Sequence, residues 1–599
     1  MTSITIPDRI QQLRQAMRQS SVDVLILPSA DPHLSEYLPD YWKCREWFSG
    51  FTGSAGTLVI GLEKASLWVD SRYWEQAEKQ LAGSGIEMCR LMGANSRNHI
   101  DWILSYFPAG TVVGVDGRLL SLKQGRELKA KLEKYAMTLR IDINPVSSVW
   151  KERPEMPDGI VFEHGMDYAA FSRQEKIAQT RGKLKESGAD WTFISSLDDV
   201  AWTLNLRGND IAYNPVFISY LLIGPETVQL FVSKQKIPYT IQQVLEKEGI
   251  ELLPYEQVQA SLSQLPANAS LLIDPQRTSL AMVSSLPEHV QLVEAVNPAL
   301  LLKSRKAPKE LDHIRDLMID DGAAFCEFQA WFDEVQQRGV VISEVTVAEK
   351  IEVCRSRRSD YISPSFATIA GFNENGALPH YQATQQAFSI IKNNGLLLID
   401  TGGQYLRGTT DMTRVIPVGM PTQAQKRDFT LVLKSVIALS TAHFPRSIPS
   451  AMIDAIARKP LWEQGIDFGH GTGHGVGYFL NVHEGPQGIS YHGNPSPQTA
   501  MEEGMVTSIE PGIYRPGKWG IRIENLSAAV PAGKTAFGDF LKFETLTQCP
   551  IDTRCMDVSL LTEAEKDWVN RYHQGVREKL LPRIAIKARN WLIERTQTI

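Results

Sequence analysis

A gapless internal repeat constrains the fold of this chain more than any other feature. Residues 9–31 (RIQQLRQAMRQSSVDVLILPSAD) align with residues 176–198 (KIAQTRGKLKESGADWTFISSLD) at a constant offset of 167 residues. In each copy an amphipathic helix is followed by a short turn, containing Asp23 or Asp190, and then by an apolar strand. Such self-similarity indicates a duplicated supersecondary unit, so we predict two similar α/β domains.

The regions after each copy indicate where the domains end. Residues 143–159 (INPVSSVWKERPEMPDG) contain three prolines and little periodicity, which is typical of a linker. Residues 309–335 have helical periodicity and begin a new unit. We therefore predict three domains, at residues 1–150, 151–303 and 304–599.

Composition and charge argue against several classes of partner. The chain of 599 residues has a formal net charge of -6 and no block of five or more like charges, so neither nucleic acid nor an anionic membrane is expected as a partner. The first residues lack an export-signal pattern, and no apolar run is long enough to span a membrane. The six cysteines form no CxxC pair, which argues against disulfides and thiolate metal sites. We predict a soluble, cytoplasmic protein.

Two aspartates lie in a predicted hairpin of the last domain. Residues 393–419 (NNGLLLIDTGGQYLRGTTDMTRVIPVG) form two apolar runs around a polar turn that contains glycines. If the turn is centred between Tyr405 and Leu406, Asp400 and Asp411 face each other directly. Facing carboxylates repel unless a cation or a shared proton lies between them. The alternative is that Asp400 is a turn former and Asp411 is solvated.

Two glutamates lie in a second predicted hairpin. Residues 502–530 form two strands around the turn region RPGKWG (515–520). Glu510 ends the first apolar run, and the alternation in GIRIEN places Arg522 and Glu524 on the same face. Taken singly, Glu510 could be an exposed residue, and Arg522 with Glu524 a surface ion pair.

The segment GHGTGHGVG (469–477) places His470 and His474 four residues apart. Its glycines disfavour a helix, so we predict a loop that is either a flexible connection or a means of bringing a histidine into a cleft.

Together, the four carboxylates of the two hairpins and one imidazole from this segment form an oxygen-rich donor set. Such a set suits two divalent ions, for example Mn²⁺, Fe²⁺, Co²⁺ or Zn²⁺.

The order and spacing of these residues resemble the five-ligand set of the pita-bread metallopeptidases, the family of methionine aminopeptidase, prolidase and aminopeptidase P. The flanking motifs LPHY, GTGHGVG, NVHEGP and SIEPGIY agree with this resemblance. The duplicated N-terminal domains, FSGFTGSAGTLVI (48–60) and the C-terminal residues 558–580 resemble the three-domain Xaa-Pro aminopeptidases. The resemblance implies an α/β protein with two creatinase-type N-terminal domains followed by a pita-bread catalytic domain.

The resemblance also implies how the metal site is built. Asp400 would chelate one ion, Asp411 and Glu524 would bridge both, and His474 and Glu510 would complete the shell of the other. The implied cofactor is a pair of divalent ions. The oxygen-rich shell and the metal usual in this family favour Mn²⁺, and Co²⁺, Fe²⁺ or Zn²⁺ are alternatives. A hydroxide bridging the ions would attack the peptide.

Further roles follow from the resemblance. Glu510 would act as general base and then as general acid, and His380 and His483 would contact the scissile carbonyl and the gem-diolate. Arg522 would line the proline side of the site or orient the metal carboxylates. The implied substrate-binding residues are His380, His470, His483, Tyr514 and Arg522.

Three functions remain open at this point. The first is an Xaa-Pro aminopeptidase, a family that suggests a homodimer acting on peptides with proline in the second position. The second is a prolidase that cleaves only Xaa-Pro dipeptides, although prolidases typically carry one domain before the catalytic unit. The third is a non-catalytic pita-bread binding protein, although such proteins have lost metal ligands.

Overall fold

The computed structural model describes residues 4–92 and 97–599. The chain divides into two compact units, the first comprising residues 1–164 and 171–299 and the second residues 165–170 and 300–599. None of the helices in the described part of the chain combines the length and the apolar character needed to cross a membrane.

The first unit begins with a six-stranded sheet. Its helices are α1 (Ile6–Gln19), α2 (Cys44–Ser49), α3 (Trp74–Gln80), α4 (His99–Tyr106), α5 (Leu122–Glu133) and α6 (Val146–Val149). Its strands are β1 (Val24–Pro28), β2 (Thr57–Gly61), β3 (Ala65–Val69), β4 (Glu87–Arg90), β5 (Val112–Gly114) and β6 (Thr138–Arg140), in the sheet order β4-β3-β2-β1-β5-β6.

A second six-stranded sheet follows in the same unit. Its helices are α7 (Arg173–Glu186), α8 (Leu197–Leu204), α9 (Tyr239–Lys247), α10 (Val258–Ser263) and α11 (Leu280–Ser284). The strands of this region are β7 (Phe162–Glu163), β8 (Trp191–Ile194), β9 (Leu206–Arg207), β10 (Ser219–Ile223), β11 (Val228–Val232), β12 (Ile250–Leu253), β13 (Ser270–Ile273) and β14 (Gln291–Glu294). The sheet order is β12-β11-β10-β8-β13-β14, while β7 and β9 pair separately.

The duplication predicted from the repeat is confirmed. Helices α1 and α7 begin and end 167 positions apart, at 6 and 173 and at 19 and 186. Each starts with a capping box, and each buries equivalent positions: Ile10, Leu13 and Met17 in α1, and Ile177, Thr180 and Leu184 in α7. In both sheets the first strand pairs antiparallel with one neighbour and parallel with the other.

The predicted linker at residues 143–159 is wrong in its first half. Residues 146–149 form α6, and Ile143, Val146 and Trp150 are buried in the core of the first sheet. Proline and weak periodicity suggested a linker, but three large apolar side chains in a short segment still bury enough surface to hold it against the domain.

The second unit contains the long helices. They are α12 (Pro298–Ser304), which enters it, α13 (Pro308–Gln337), α14 (Glu344–Arg355), α15 (Gln423–Ser440), α16 (Asp454–Trp462), α17 (Glu563–Leu580) and α18 (Ile586–Arg595). The strands before residue 420 are β15 (Ile342–Ser343), β16 (Tyr361–Pro364), β17 (Ile369–Phe372), β18 (Ile390–Ile391), β19 (Gly395–Thr401), β20 (Gly403–Tyr405), β21 (Gly408–Thr409) and β22 (Met412–Val418). The later strands are β23 (His443–Pro445), β24 (Gly473–Gly475), β25 (Glu484–Ile489), β26 (Val506–Ile509), β27 (Gly512–Arg515), β28 (Trp519–Arg522), β29 (Asn525–Thr535) and β30 (Gly538–Thr545).

The strands of the second unit form several small sheets instead of one large sheet. The largest has the order β23-β30-β29-β26-β24-β25, and three-stranded sheets have the orders β17-β19-β22 and β16-β20-β21. Side chains of β19 and β22 pack on one side against α13 and α14 and on the other against α15. Strands β19 and β22 are therefore buried on both faces, and the residues at their ends lie in the interior.

Two glycines in helix interiors provide a matched test of how closely α13 packs against the backbone at Gln548. A Cβ atom at Gly322 in α13 would overlap the carbonyl oxygen of Gln548, whereas a Cβ atom at Gly575 in α17 would meet nothing. We expect Gly322→Ala to lower the free energy of unfolding by about 2 kcal/mol or more, because the backbone must move apart. Gly575→Ala should raise it by roughly 0.5–1 kcal/mol, because alanine favours the helix. Urea unfolding of both variants measures the difference, and equal effects would contradict the close contact.

Candidate metal centre

Asp400 and Asp411 lie near the inner ends of β19 and β22. In the register of these strands Asp400 pairs with Thr413 and Thr401 with Met412. The prediction that the two aspartates face each other directly is therefore wrong, because the turn is centred one residue later than assumed, at Leu406 and Arg407. The residue that faces Asp400 is therefore Thr413, two positions after Asp411. Side chains in strands alternate with a period of two, so Asp411 keeps the face of Thr413 and lies diagonal to Asp400.

Glu510 and Glu524 occupy facing positions where a second hairpin is interrupted. Ile509 pairs with Asn525 in the β26–β29 ladder, and Gly512 pairs with Arg522 in the β27–β28 ladder. The same register continues across the break and sets the two glutamates opposite each other. Both predicted hairpins are thus present, but each is divided into an inner and an outer pair of strands next to its carboxylates.

Two hydrogen bonds join the carboxylate-bearing segments to their neighbours. The backbone N–H of Glu524 donates to the carbonyl of Thr413 (3.2 Å), and the N–H of Glu510 donates to the carbonyl of Thr472 (2.8 Å). The hydroxyl of Thr413 donates to Glu524 Oε2 (2.8 Å). Thr413 was missed by the sequence reasoning, although its position two residues after Asp411 places it on the same face.

His474 lies in β24, so the predicted loop is wrong at residues 473–475. Added Cβ atoms would overlap the carbonyl oxygen of Ser508 at Gly473 and that of Glu484 at Gly475. These glycines allow close approach of the neighbouring strands and do not serve as a flexible connection.

The hydrogen bonds of His474 fix its tautomer. Its Nδ1 lies 3.0 Å from the carbonyl oxygen of Gly475, which can only accept, so Nδ1 carries the hydrogen. The Nε2 atom lies 3.5 Å from Asp411 Oδ2 and 3.4 Å from Glu510 Oε1. In the neutral ring the lone pair of Nε2 therefore points at the carboxylates, as a metal ligand requires.

Three carboxylates in this group keep a buried oxygen without a hydrogen-bond partner among the described residues. The atoms are Asp400 Oδ1, Asp411 Oδ1 and Glu524 Oε1. Their residues are only 8%, 4% and 1% exposed. Asp411, His474 and Glu524 each offer a ligand atom, and these atoms lie within 4.8 Å of one another. Buried oxygens that lack donors, grouped around one imidazole nitrogen, fit divalent cations.

Burial and mutual repulsion disturb the titration of the group. Burial raises the pKa of Asp400 and raises that of Glu524 well above its ordinary range, with the charge of Asp411 adding to both effects. Burial also raises the pKa of Glu510 to about 7, against the lowering effect of His474. For His474 burial lowers the pKa, but Asp411 and Glu510 outweigh it and raise the pKa to about 9. The carboxyl shifts therefore come mainly from burial, whereas the shift of His474 comes from the negative charge of its neighbours.

Arg522 connects this group to His470 and is not a surface ion pair, since it is 2% exposed. It donates to Asp400 Oδ2 (2.5 Å) and to the hydroxyl of Tyr514 (2.6 Å). His470 Nδ1 lies 2.7 Å from the carbonyl of Gly471, and its Nε2 lies 2.8 Å from the Tyr514 hydroxyl. In the neutral ring Nδ1 therefore donates and Nε2 accepts the hydrogen of Tyr514. His470 is thus linked to Asp400 through Tyr514 and Arg522.

The remaining predicted histidines lie beside these segments. The ring of His483 packs edge-on against that of His474, with centroids 4.3 Å apart. His380 follows Pro379, whose carbonyl accepts a long hydrogen bond from Arg522 (3.5 Å). The ring of Phe468, which the sequence reasoning did not single out, lies 4.9 Å from the ring of His470.

Comparison with known proteins covers the whole chain. Models of the Creatinase/Prolidase N-terminal domain match residues 9–142 and 152–310, metallopeptidase family M24 matches residues 312–529, and the C-terminal region of peptidase M24 matches residues 539–599. A protein of Talaromyces marneffei named probable Xaa-Pro aminopeptidase P is 40% identical over 97% of this chain and 90% of its own length. Aminopeptidase P2 of Arabidopsis thaliana is 35% identical over 100% of this chain and 89% of its own.

A solved structure matches over its full length. The X-prolyl aminopeptidase of Caenorhabditis elegans, described as a cytosolic enzyme with a di-nuclear active site, superposes with a TM-score of 0.94 at 32% identity. The match covers 100% of both chains.

The two histidines of GHGTGHGVG should differ in their effect on metal binding. His474→Ala removes the Nε2 atom that faces Asp411 and Glu510, so we expect metal affinity to fall by about tenfold or more. His470→Ala should retain most of the metal, because Nε2 of His470 is engaged by Tyr514. Elemental analysis of both purified variants tests this, and equal metal loss would contradict the assignment.

Proposed function

The chain belongs to metallopeptidase family M24, and we propose that it is an Xaa-Pro aminopeptidase, which hydrolyses the bond between an N-terminal residue and a following proline. The observation that carries the proposal is the clustering of ligand atoms of Asp411, His474 and Glu524 within 4.8 Å of one another. Asp400, Asp411 and Glu524 keep buried oxygens without a hydrogen-bond partner among the described residues, and Glu510 lies 3.4 Å from His474. The match of relatives named Xaa-Pro aminopeptidase over nearly the whole chain supports it. The proposal assigns residues 1–150 and 151–303 to the N-terminal domains and residues 304–599 to the catalytic domain.

The five residues would hold two divalent cations. Mn²⁺ is our choice, because four carboxylates and one imidazole form an oxygen-rich site. Bound there, the cations would polarise the scissile carbonyl and lower the pKa of water. The di-nuclear active site described for the Caenorhabditis elegans enzyme supports a pair of ions.

Glu510 is the residue that moves the proton. Its Oε1 accepts a hydrogen bond from the hydroxyl of Ser508 (3.2 Å) and faces His474, which leaves Oε2 to exchange the proton. Burial raises the pKa of Glu510 to about 7 when no cation is bound, and bound cations would lower it, so the proposed role rests on the position of Glu510 within the group. Glu510 would take a proton from the attacking water and return it to the proline nitrogen.

The histidines bind and orient the peptide. His380 and His483 would donate to the carbonyl oxygen as negative charge develops on it. His470 and Tyr514, with the stem of Arg522, would line the proline side. A peptide bond before proline has no N–H, so its recognition depends on shape and apolar contact. Phe468 is buried against the ring of His470, so it would support that ring and would not contact the substrate itself.

The other functions find less support. This chain matches two creatinase-type domains, and relatives named Xaa-Pro aminopeptidase match along nearly its whole length, which favours an aminopeptidase over a dipeptide-specific prolidase. A non-catalytic binding protein would not need to keep all five candidate ligands. The proposal includes a homodimer located in the cytoplasm, with peptides as partners and neither nucleic acid nor membrane involved. The cytosolic description of the Caenorhabditis elegans enzyme supports the location.

Substrate length and identity test the proposed activity. We expect release of one residue from Xaa-Pro-Xaa and longer peptides, weak activity on Xaa-Pro dipeptides, and none on N-acetylated peptides. Mass spectrometry of the digests and kcat/KM values measure this. A better kcat/KM for the dipeptide would favour the prolidase, and equal cleavage of Xaa-Ala peptides would argue against a proline pocket.

Asp411→Asn tests the paired-cation site. The amide keeps the shape of the side chain but removes one of the carboxylate charges that would hold the cations. We therefore expect a lower metal content and a kcat at least 100-fold lower, which corresponds to about 2.7 kcal/mol in the activation barrier. Circular dichroism should be unchanged. Full activity of this variant, or of thoroughly chelated wild-type protein, would contradict the mechanism.

A further inference from the structure

A small hairpin joins the two aspartates of the metal centre. Strands β20 and β21 are paired through Gln404 and Thr409, with Leu406 and Arg407 at the turn. Its base is closed by a hydrogen bond from the N–H of Gly403 to the hydroxyl of Thr410 (2.9 Å). Only two residues separate the base from Asp400, and Thr410 is adjacent to Asp411. A displacement of this hairpin therefore moves both carboxylates.

The base of the hairpin is held by a buried arginine. Arg355 donates to the hydroxyl of Thr401 (2.5 Å) and to the carbonyl of Gly402 (3.1 Å). Its other side pairs with Asp321, which also accepts a hydrogen bond from the hydroxyl of Tyr405 (2.7 Å). Helices α13 and α14 thus fix the root of the hairpin together.

The tip of the hairpin is held by Arg407, the second turn residue. Its guanidinium contacts both oxygens of Asp360 (2.8 and 2.9 Å) and one oxygen of Asp320 (2.7 Å), and it also pairs with Asp316. Asp316 and Asp320 belong to α13, whereas Asp360 immediately precedes β16. One side chain therefore ties the tip to two separate elements.

The C-terminal region completes this ion network. Arg583, between α17 and α18, donates to Asp316 (2.5 Å) and to Asp320 (3.2 Å). Three carboxylates around the single cation of Arg407 would repel one another, and Arg583 offsets that repulsion. Isolated surface ion pairs contribute little, but a network with a two-pronged arginine contact and a side chain only 16% exposed resists movement.

We propose that Arg407 is a positioning residue that sets the metal affinity of the site, and that Arg583 of the C-terminal region acts through it. The inference rests on the proposed two-cation function. Carboxylates that repel one another tend to separate when no cation is present, and the anchored hairpin keeps Asp400 and Asp411 close enough to bind. Loosening the tip lets them relax apart, so a cation must pull them together again at the expense of affinity.

Metal affinity of the full-length protein tests the proposal directly. Metal-free protein is titrated with Mn²⁺ against a chelating indicator, at a temperature where circular dichroism shows every variant folded. We expect Arg407→Gln to weaken Mn²⁺ binding about three- to tenfold, less than the loss of a direct contact to a ligand. Arg583→Gln should weaken it less. Arg407→Lys keeps the charge without the two-pronged contact, so its affinity should be intermediate, and it serves as the test if Arg407→Gln does not fold.

Arg315→Gln is the matched control. Arg315 lies on α13, beside Asp316, and also pairs with both oxygens of a distant carboxylate, Glu544 (2.9 and 2.7 Å), but neither Arg315 nor Glu544 belongs to the hairpin. Its Mn²⁺ affinity should stay within twofold of the wild type.

Three outcomes would overturn the proposal. Arg407→Gln could bind Mn²⁺ within twofold of the wild type even if its melting temperature falls, which would leave Arg407 a purely stabilising role. The Arg407 and Arg315 variants could lose affinity equally, which would reflect general charge or stability. Wild-type protein could bind neither Mn²⁺ nor Co²⁺, and that result alone would also contradict the proposed function.

Discussion

Four carboxylates are removed from water at one place in this catalytic unit, and the packing around them depends on that burial. Ionised carboxylates that lose their hydration repel one another unless positive charge compensates. Three of these side chains keep an oxygen with no hydrogen-bond partner among the described residues, and burial raises the pKa of Glu510 and Glu524. The arrangement is unfavourable by itself. The surrounding framework must therefore hold the carboxylates together, and the proposed cations would supply the missing charge.

Buried arginines form much of that framework. Arg522 contacts Asp400 itself, and Arg355 holds the backbone that follows Asp400. Arg414 donates to the carbonyls of Thr413 (2.9 Å) and Glu524 (2.6 Å) and so joins the two interrupted hairpins. Each arginine fixes a segment through the geometry of several donors. Arg522 also places positive charge beside Asp400, which partly relieves the repulsion there.

Two histidines with the same local environment differ in what their Nε2 atoms contact, because their distant partners differ. His470 and His474 each precede a glycine, and each directs Nδ1 to the carbonyl of that glycine. The local sequence therefore selects the same tautomer at both positions. Their Nε2 atoms differ, because one meets the Tyr514 hydroxyl while the other meets Asp411 and Glu510. Only the second histidine is placed to bind a cation.

The sequence by itself determined the elements with a strong local signal. The repeat with its offset of 167 residues predicted two α/β domains, since identical spacing of buried positions requires the same helix and strand. The hairpins around Asp400 and Glu510 followed from apolar runs and turn residues. The tertiary structure decided the register, the β-strand at His474 and the link from Arg522 through Tyr514 to His470. These features depend on contacts between segments far apart in the chain, such as the close approach of Gly473 to Ser508, and no local pattern encodes such contacts.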